Sequence, residues 1–373
     1  MVNFFGPANT LGTGIHCYNL AKAYEDLGNE VCLVPPMGQV RFEDENVRRW
    51  LKNREKFDKS NPSLMIFDIH WLAQFCGTPR IGFAVFETDG FTPIQKAAMR
   101  SCDSLLVPSE WGKSVLRDNG LEASVVPEGF SPTEFTLDLL PRGPEEIFRI
   151  VHVGKFEERK GTIQAIRCFF RALEREDAEL VMHCENPFLT GSGFEQVTQE
   201  LRKLGFEPAG FQSGRQPSVF KRMGLRVVLS GHTESIAHLY RSADVGIFPS
   251  KGEGWGLPIM ECVASGTPVI AGKWTGQSEF LRDDYPENLT IQAPRKEMAN
   301  DGTWYFGDRG SWNAPRDEEL VEIIRWAFEN ARPLKSSPGW ADIVLDIRRD
   351  FTWRRAAEKL QQFLGQAVEA KIK

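Results

Sequence analysis

Short apolar runs alternate with stretches of helical period through the first third of the chain. Runs at Val2–Phe5, Glu30–Val34, Leu64–Ile69, Ile81–Phe86, Ser104–Val107 and Ser124–Val126 have the length of buried strands. Between them the spacing predicts helices over Ile15–Leu27, Thr92–Arg100 and Glu110–Asn119. Strands separated by helices form β-α-β units and therefore a parallel sheet. The rhythm breaks over Phe130–Glu146, where Pro132, Pro141, Gly143 and Pro144 stand among polar residues as in a linker. It then resumes. Strands are expected at Arg149–Val153, Glu179–His183, Arg226–Leu229, Val245–Phe248 and Pro268–Ala271, with helices at Thr162–Glu174, Glu234–Ser242 and Leu257–Ala264. The tail Thr352–Ile372 again has apolar residues at helical spacing.

The pattern predicts an α/β protein of two doubly wound parallel-sheet lobes. Residues 1–130 form the first, 131–148 the linker, 149–351 the second, and a last helix covers about 352–373. A length of 373 residues fits two such lobes. Open α/β sheets bind ligands beyond the carboxyl ends of their strands, so the cleft between lobes is the expected site. No apolar run approaches the roughly 20 residues that span a bilayer, and Met1–Phe5 reads as a strand rather than a signal peptide. Seven scattered cysteines without a C-x-x-C pair suit a reducing cytoplasm. A net charge of -6 gives no overall pull toward DNA or an anionic membrane surface. The basic stretch Arg48–Lys59 reads as an amphipathic helix with Trp50 and Phe57 turned inward, rather than as a polyanion-binding face.

Chemistry concentrates in four places. In the run from Ser250 to Glu261, glycines follow an apolar strand and open a helix with Pro258 in its first turn. Gly254 and Gly256 admit close approach of a ligand, and the helix N-terminus offers unpaired N–H groups to a diphosphate. Glu253 and Glu261 can accept hydroxyl hydrogen bonds from a ribose or sugar, or can be merely solvated glutamates. At the end of the second lobe's first strand, Gly154-Lys155 and Lys160-Gly161 bring two cations that can neutralise a leaving diphosphate; exposed loop lysines are the alternative. The loop Gly6–Gly14 holds Gly12 and Gly14 between first strand and first helix, but Cys17 stands where a dinucleotide fingerprint needs a third glycine. Glu87, Thr88 and Asp89 end a strand at the cleft edge, where a carboxylate can orient an acceptor hydroxyl or a sugar. His70, after another strand, is a weaker candidate. Ser109 reads as a helix cap, and Glu128-Gly129 as a turn or a ligand contact.

Glu253 and Glu261, followed by Ala264-Ser265-Gly266-Thr267-Pro268, resemble the E-x7-E segment of glycosyltransferase family four, which has the GT-B fold. Leu239–Asp244, Gly276–Glu279, Val107–Lys113 and Val126–Phe130 resemble the same family. The resemblance implies that Glu261 holds the donor ribose, while Glu253, Gly254, Trp255, Gly256 and Leu257 hold the transferred sugar and diphosphate. It implies that Lys155, Lys160 and Gly154 meet the leaving group, with Gly12 and Gly14 facing the diphosphate from the first lobe. Lys155 replaces the family's commoner arginine, losing its fork, and Glu87, Thr88 and Asp89 stand where many relatives have a histidine–aspartate pair, so no histidine role carries over. Retention of configuration follows by the same analogy, as does a last helix that crosses back to the first lobe. No Asp-x-Asp pair occurs to hold a metal on the diphosphate, so a metal-independent transferase using a nucleoside-diphosphate sugar, without another cofactor, is expected. The acceptor can be a polysaccharide, a lipid, a small molecule or a modified nucleobase. A non-catalytic nucleotide-sugar-binding protein and a Rossmann-type oxidoreductase are the alternatives.

Overall fold

The computed structural model describes residues 1–189, 193–212, 216–230, 235–292 and 294–372. Six short strands make the first sheet: β1 Val2–Phe5, β2 Val31–Val34, β3 Ser63–Ile66, β4 Arg80–Phe83, β5 Ser104–Val107 and β6 Ser124–Val125. All pair in parallel, in the order β2-β1-β3-β4-β5-β6. Helices α1 Gly12–Asp26, α2 Glu45–Lys52, α3 Pro93–Arg100 and α4 Glu110–Asp118 connect them. Their starts are legible locally. Thr92 and Gln95 form a reciprocal capping box on α3, and Ser109 Oγ accepts from Gly112 N at 3.1 Å to cap α4. Trp50 on α2 is fully buried as expected, but the helix stops at Lys52, a 3-10 turn follows over Asn53–Lys56, and Phe57 beyond it is exposed rather than turned inward.

Two predicted strands end early. The third stops at Ile66 because the Asp68 side chain accepts from His70 N and turns the chain through a short 3-10 segment. The fourth stops at Phe83, after which Val85–Glu87 are pressed against Gly252 and Gly254 of the second lobe.

The second sheet follows an irregular stretch over 131–147. Its strands are β7 Phe148–Val153, β8 Ala178–His183, β9 Glu207–Gln212, β10 Gln216–Arg222, β11 Leu225–Leu229, β12 Val245–Phe248, β13 Val269–Gly272 and β14 Thr290–Ile291. The order is β14-β13-β12-β7-β8-β11-β10-β9, parallel except for β10, which runs antiparallel to both its neighbours. Helices α5 Thr162–Leu173, α6 Phe194–Lys203, α7 Ile236–Arg241 and α8 Leu257–Ala264 accompany it. The predicted start of α7 at Glu234 lies outside the described residues.

A separate hairpin, β15 Arg295–Asn300 with β16 Phe306–Ala314, follows the sheet. Then come α9 Asp317–Lys335, α10 Pro338–Asp350 and α11 Trp353–Ile372. α11 packs against α1, and Thr352 bridges to Phe130, so the last helix does cross to the first lobe. Gly129 has a packing reason: a Cβ there would collide with Thr352 and Trp353. Among the described residues no helix is long and apolar enough to cross a membrane.

Candidate functional site

β12 runs out at Phe248 and the chain then turns through Ser250–Gly256 before α8 begins. Gly256, at φ +98°, occupies the N-cap position in the left-handed region, and no side chain caps the helix. The turn therefore presents backbone amides and the positive end of α8. Glu253 at its centre is buried and fully engaged. Its backbone N–H donates to Thr275 Oγ1 at 3.0 Å. Its carboxylate accepts from Lys160 Nζ at 2.7 and 2.8 Å, from Arg159 Nη1 at 3.0 Å and from Ser250 Oγ at 2.6 Å.

Lys160 and Arg159 come from the turn between β7 and α5. His152 locks that turn. Its Nδ1–H donates to Ile247 O at 2.8 Å, which leaves Nε2 to accept from Thr162 Oγ1 at 3.1 Å. Burial pushes this imidazole down to about 4, so it stays neutral and serves the scaffold. Arg159 also donates to Gly252 O at 2.6 Å and to Glu157 at 3.0 Å.

Lys155 does not join Glu253. Its Nζ lies 2.6 Å from Glu157 Oε1 and 5.5 Å from the centre of the Phe188 ring, at the rim. Arg159, not Lys155, is the second cation on Glu253; it sits inside the motif, but its spacing gives no sign that it turns inward.

Burial raises the Glu253 carboxyl, but Lys160 and Arg159 outweigh it, with hydrogen bonds from Lys160 and Ser250, and bring it down to about 2. The lowered group stabilises the fold above its ordinary value of 4.5, and that contribution is lost as pH falls toward about 2. Parent and Glu253→Gln should therefore converge in stability by about 3 kcal/mol across that interval, read from denaturant midpoints. Parallel acid slopes in the two proteins would refute the assignment.

Glu261 lies in the second turn of α8, buried, and among the described residues its carboxyl makes no hydrogen bond. Burial, with Glu134 and Glu128 nearby, holds it well above the ordinary carboxyl range. Glu128 is itself buried, 3.3 Å from His16 Nδ1 on α1. Nothing in the pattern of residues around His16 singles it out. It brings a first-lobe imidazole to the same end of the crevice. Tyr240 Oη, which feels the Glu261 charge, is buried without a hydrogen-bond partner among the described residues.

The remaining candidates fall into place around these groups. The Trp255 ring is buried between Phe280 and Phe351, with centroids at 5.4 and 5.6 Å, so this residue offers a ligand its backbone rather than its ring. Gly254 packs against Val85 and Phe86, and Leu257 is buried. Gly154 donates to His183 O at 3.0 Å beside the Lys160 stem. Gly12 opens α1 with free space around its Cα, whereas Gly14 packs tightly on Asn9. Glu87 reaches across from the first lobe. Its Oε1 is 3.6 Å from Arg159 and its Oε2 accepts from Tyr305 Oη at 2.8 Å. His70 is held by Asp68 at 2.6 Å on a surface turn. A cavity of about 910 Å³ lies instead on the flank of the second lobe, lined by Gln164, Arg167, Asn186 and Trp304. None of Glu253, Lys160 or Glu261 lines it.

Residues 147–301 match the family model for group 1 glycosyl transferases. An uncharacterized glycosyltransferase of Methanocaldococcus jannaschii is 31% identical over 56% of this chain and 55% of its own length. A D-inositol 3-phosphate glycosyltransferase of Corynebacterium diphtheriae is 28% identical over 58% of this chain and 42% of its own length. The chain thus spans about half or less of the curated relatives it matches. In three dimensions it is similar to the sucrose-phosphate synthase of Thermosynechococcus elongatus, with a TM-score of 0.68, 16% identity and 99% of both chains covered. HepE of Anabaena, solved in complex with UDP and glucose, follows at a TM-score of 0.63, 15% identity and 98% and 99% coverage. Two Rossmann-like lobes and an E-x7-E turn at the head of α8 agree with these likenesses: residues 147–301 match the group 1 glycosyl transferase model, and the chain has the GT-B fold.

Proposed function

We propose that the protein transfers a sugar, with retention, from a nucleoside-diphosphate sugar to an acceptor hydroxyl, using cations of its own chain in place of a metal. One observation carries the reading. Glu253, with Lys160 on both its oxygens, stands at the uncapped head of α8, and Glu261 lies one helix turn further on, its carboxyl without a hydrogen bond among the described residues. A diphosphate seated on the amides of Gly254–Leu257 would meet the helix dipole and the Lys160 ammonium together. Lys155, at the rim, adds the further positive charge. The ribose diol would satisfy Glu261, which then gains the partners it lacks. Glu253 would accept hydroxyl hydrogen bonds from the transferred sugar.

In the transfer, the acceptor oxygen forms a bond to the anomeric carbon as the bond to the diphosphate oxygen breaks. The departing phosphate oxygen takes the acceptor's proton. Charge grows on the diphosphate, and preorganised cations stabilise that growth more than the ground state. Lobe closure about 131–147 would exclude water, which otherwise competes as acceptor. HepE was solved with UDP and glucose, and by analogy the donor here is a nucleotide sugar.

Slow donor hydrolysis separates a transferase from a mere binder. Purified protein incubated with UDP-, GDP- and ADP-hexoses should release the nucleoside diphosphate from one of them. A protein that binds a donor yet releases nothing, even over days and at high concentration, is a sensor and not an enzyme.

A further inference from the structure

The β15–β16 hairpin belongs to the second lobe by sequence, yet it clasps the first. Gly90 N donates to Arg309 O at 3.1 Å, and Asp89 N to Ser311 O at 3.4 Å. Asp89 Oδ1 accepts from Ser311 N at 2.6 Å, while Lys296 Nζ pairs with Asp89 Oδ2 at 2.7 Å. Gly310, at φ +87°, makes this fit possible, because a Cβ there would collide with Asp89 Oδ1.

The other side of the hairpin is rooted in the Glu253 turn. Lys251 Nζ bonds Glu297 at 2.7 Å, Trp312 Nε1 donates to the same carboxylate at 2.9 Å, and Asn313 N donates to Lys251 O at 2.8 Å. Between these two anchorages Tyr305 holds Glu87 with its hydroxyl, and Glu87 faces Arg159.

Arg159 is therefore where the lobes meet electrically. Its guanidinium is buried and grips Gly252 O, Glu253 and Glu157 from the second lobe, with only Glu87 coming from the first. Around it stand the cations Lys155, Arg159 and Lys160 and the carboxylates Glu87, Glu157 and Glu253, three of each. Withdrawing Glu87 leaves a positive excess around the buried guanidinium of Arg159, where screening is weak. That excess bears on Glu253, which shares the fork of Arg159.

We infer that Arg159 is a positioning residue for Glu253, and that the 295–314 hairpin is a strap that sets this positioning by holding Glu87 against Arg159 when the lobes are closed. The inference rests on the transferase reading above and concerns how that same site is assembled. Neither Tyr305 nor Gly310 is assigned a contact with a donor in that reading, so altering either tests the coupling without removing a donor contact.

The experiment uses full-length parent, Gly310→Ala and Tyr305→Phe. Amide exchange of the segment 84–91 reports strap docking, and steady-state hydrolysis of the nucleotide sugar that the parent turns over reports Glu253. Gly310→Ala should speed exchange of that segment about tenfold or more. It should lower kcat about tenfold with the donor KM within about twofold, because ground-state binding on the second lobe is untouched. Tyr305→Phe, the milder change, should lower kcat about threefold in the same pattern. A Gly310→Ala protein with accelerated exchange and parental kcat overturns the inference alone, as does a rise in KM with kcat unchanged. A parent that hydrolyses none of the donors sinks the functional reading first, and this inference with it.

Discussion

Lys160→Met should lower kcat for the nucleotide sugar that the parent hydrolyses by about 10²–10³-fold, a loss of the size seen when one preorganised transition-state donor is removed. The ammonium lies on both oxygens of Glu253, and its side chain is only 13% exposed, so water cannot replace it well. Burial lowers this lysine from its ordinary value, and the Glu253 carboxylate opposes that drop. Removal also strips Glu253 of a cation inside the fold. Breaking a buried pair typically costs about 3–5 kcal/mol; Arg159 and Ser250 remain, so the lower end applies. Turnover and a denaturant midpoint measured on the same preparation separate the two effects. A variant that turns over within threefold of the parent would remove Lys160 from the chemistry.

The second large effect has opposite signs in the free and liganded protein. Glu261→Leu should stabilise the unliganded chain by about 1–3 kcal/mol, since a buried carboxyl with no hydrogen bond among the described residues is replaced by an apolar group of similar size. It should at the same time abolish nucleotide binding. A site residue that costs the free protein stability is the expected signature of a group kept for its ligand. Denaturant midpoints check the first half; loss of stability in the variant would show that Glu261 serves the fold.

Much of this arrangement could be read from the chain, for physical reasons that differ by element. Parallel strands buried on both faces are largely apolar, so β1, β5 and β12 stand out in sequence with their bounds intact despite Asn3 and Ser104. The turn at Glu253 was legible because glycines, Pro258 and two spaced glutamates each do a job that few other residues can do. The strap was not. β15 and β16 read Arg-Lys-Glu-Met-Ala-Asn and Phe-Gly-Asp-Arg-Gly-Ser-Trp-Asn-Ala, mostly polar on both faces, so no alternation marks them as strands. β9 and β10 were missed as well, although they extend the second sheet by an antiparallel pair. Arg159 was hidden for another reason. Its neighbours Glu158 and Lys160 carry charge too, and only the backbone turn after β7 decides which of them points inward. Lys155 shows the converse, since its place in the motif suggested the leaving diphosphate and the fold pairs it with Glu157 at the rim.

Calorimetric titration of the parent and Glu261→Leu with UDP, GDP and ADP is the most direct test of whether a nucleoside diphosphate sits between these lobes. One diphosphate should bind the parent at a single site, and the heat should vanish in the variant despite its sturdier fold. Equal affinity in both proteins, or binding of none by the parent, would contradict the account.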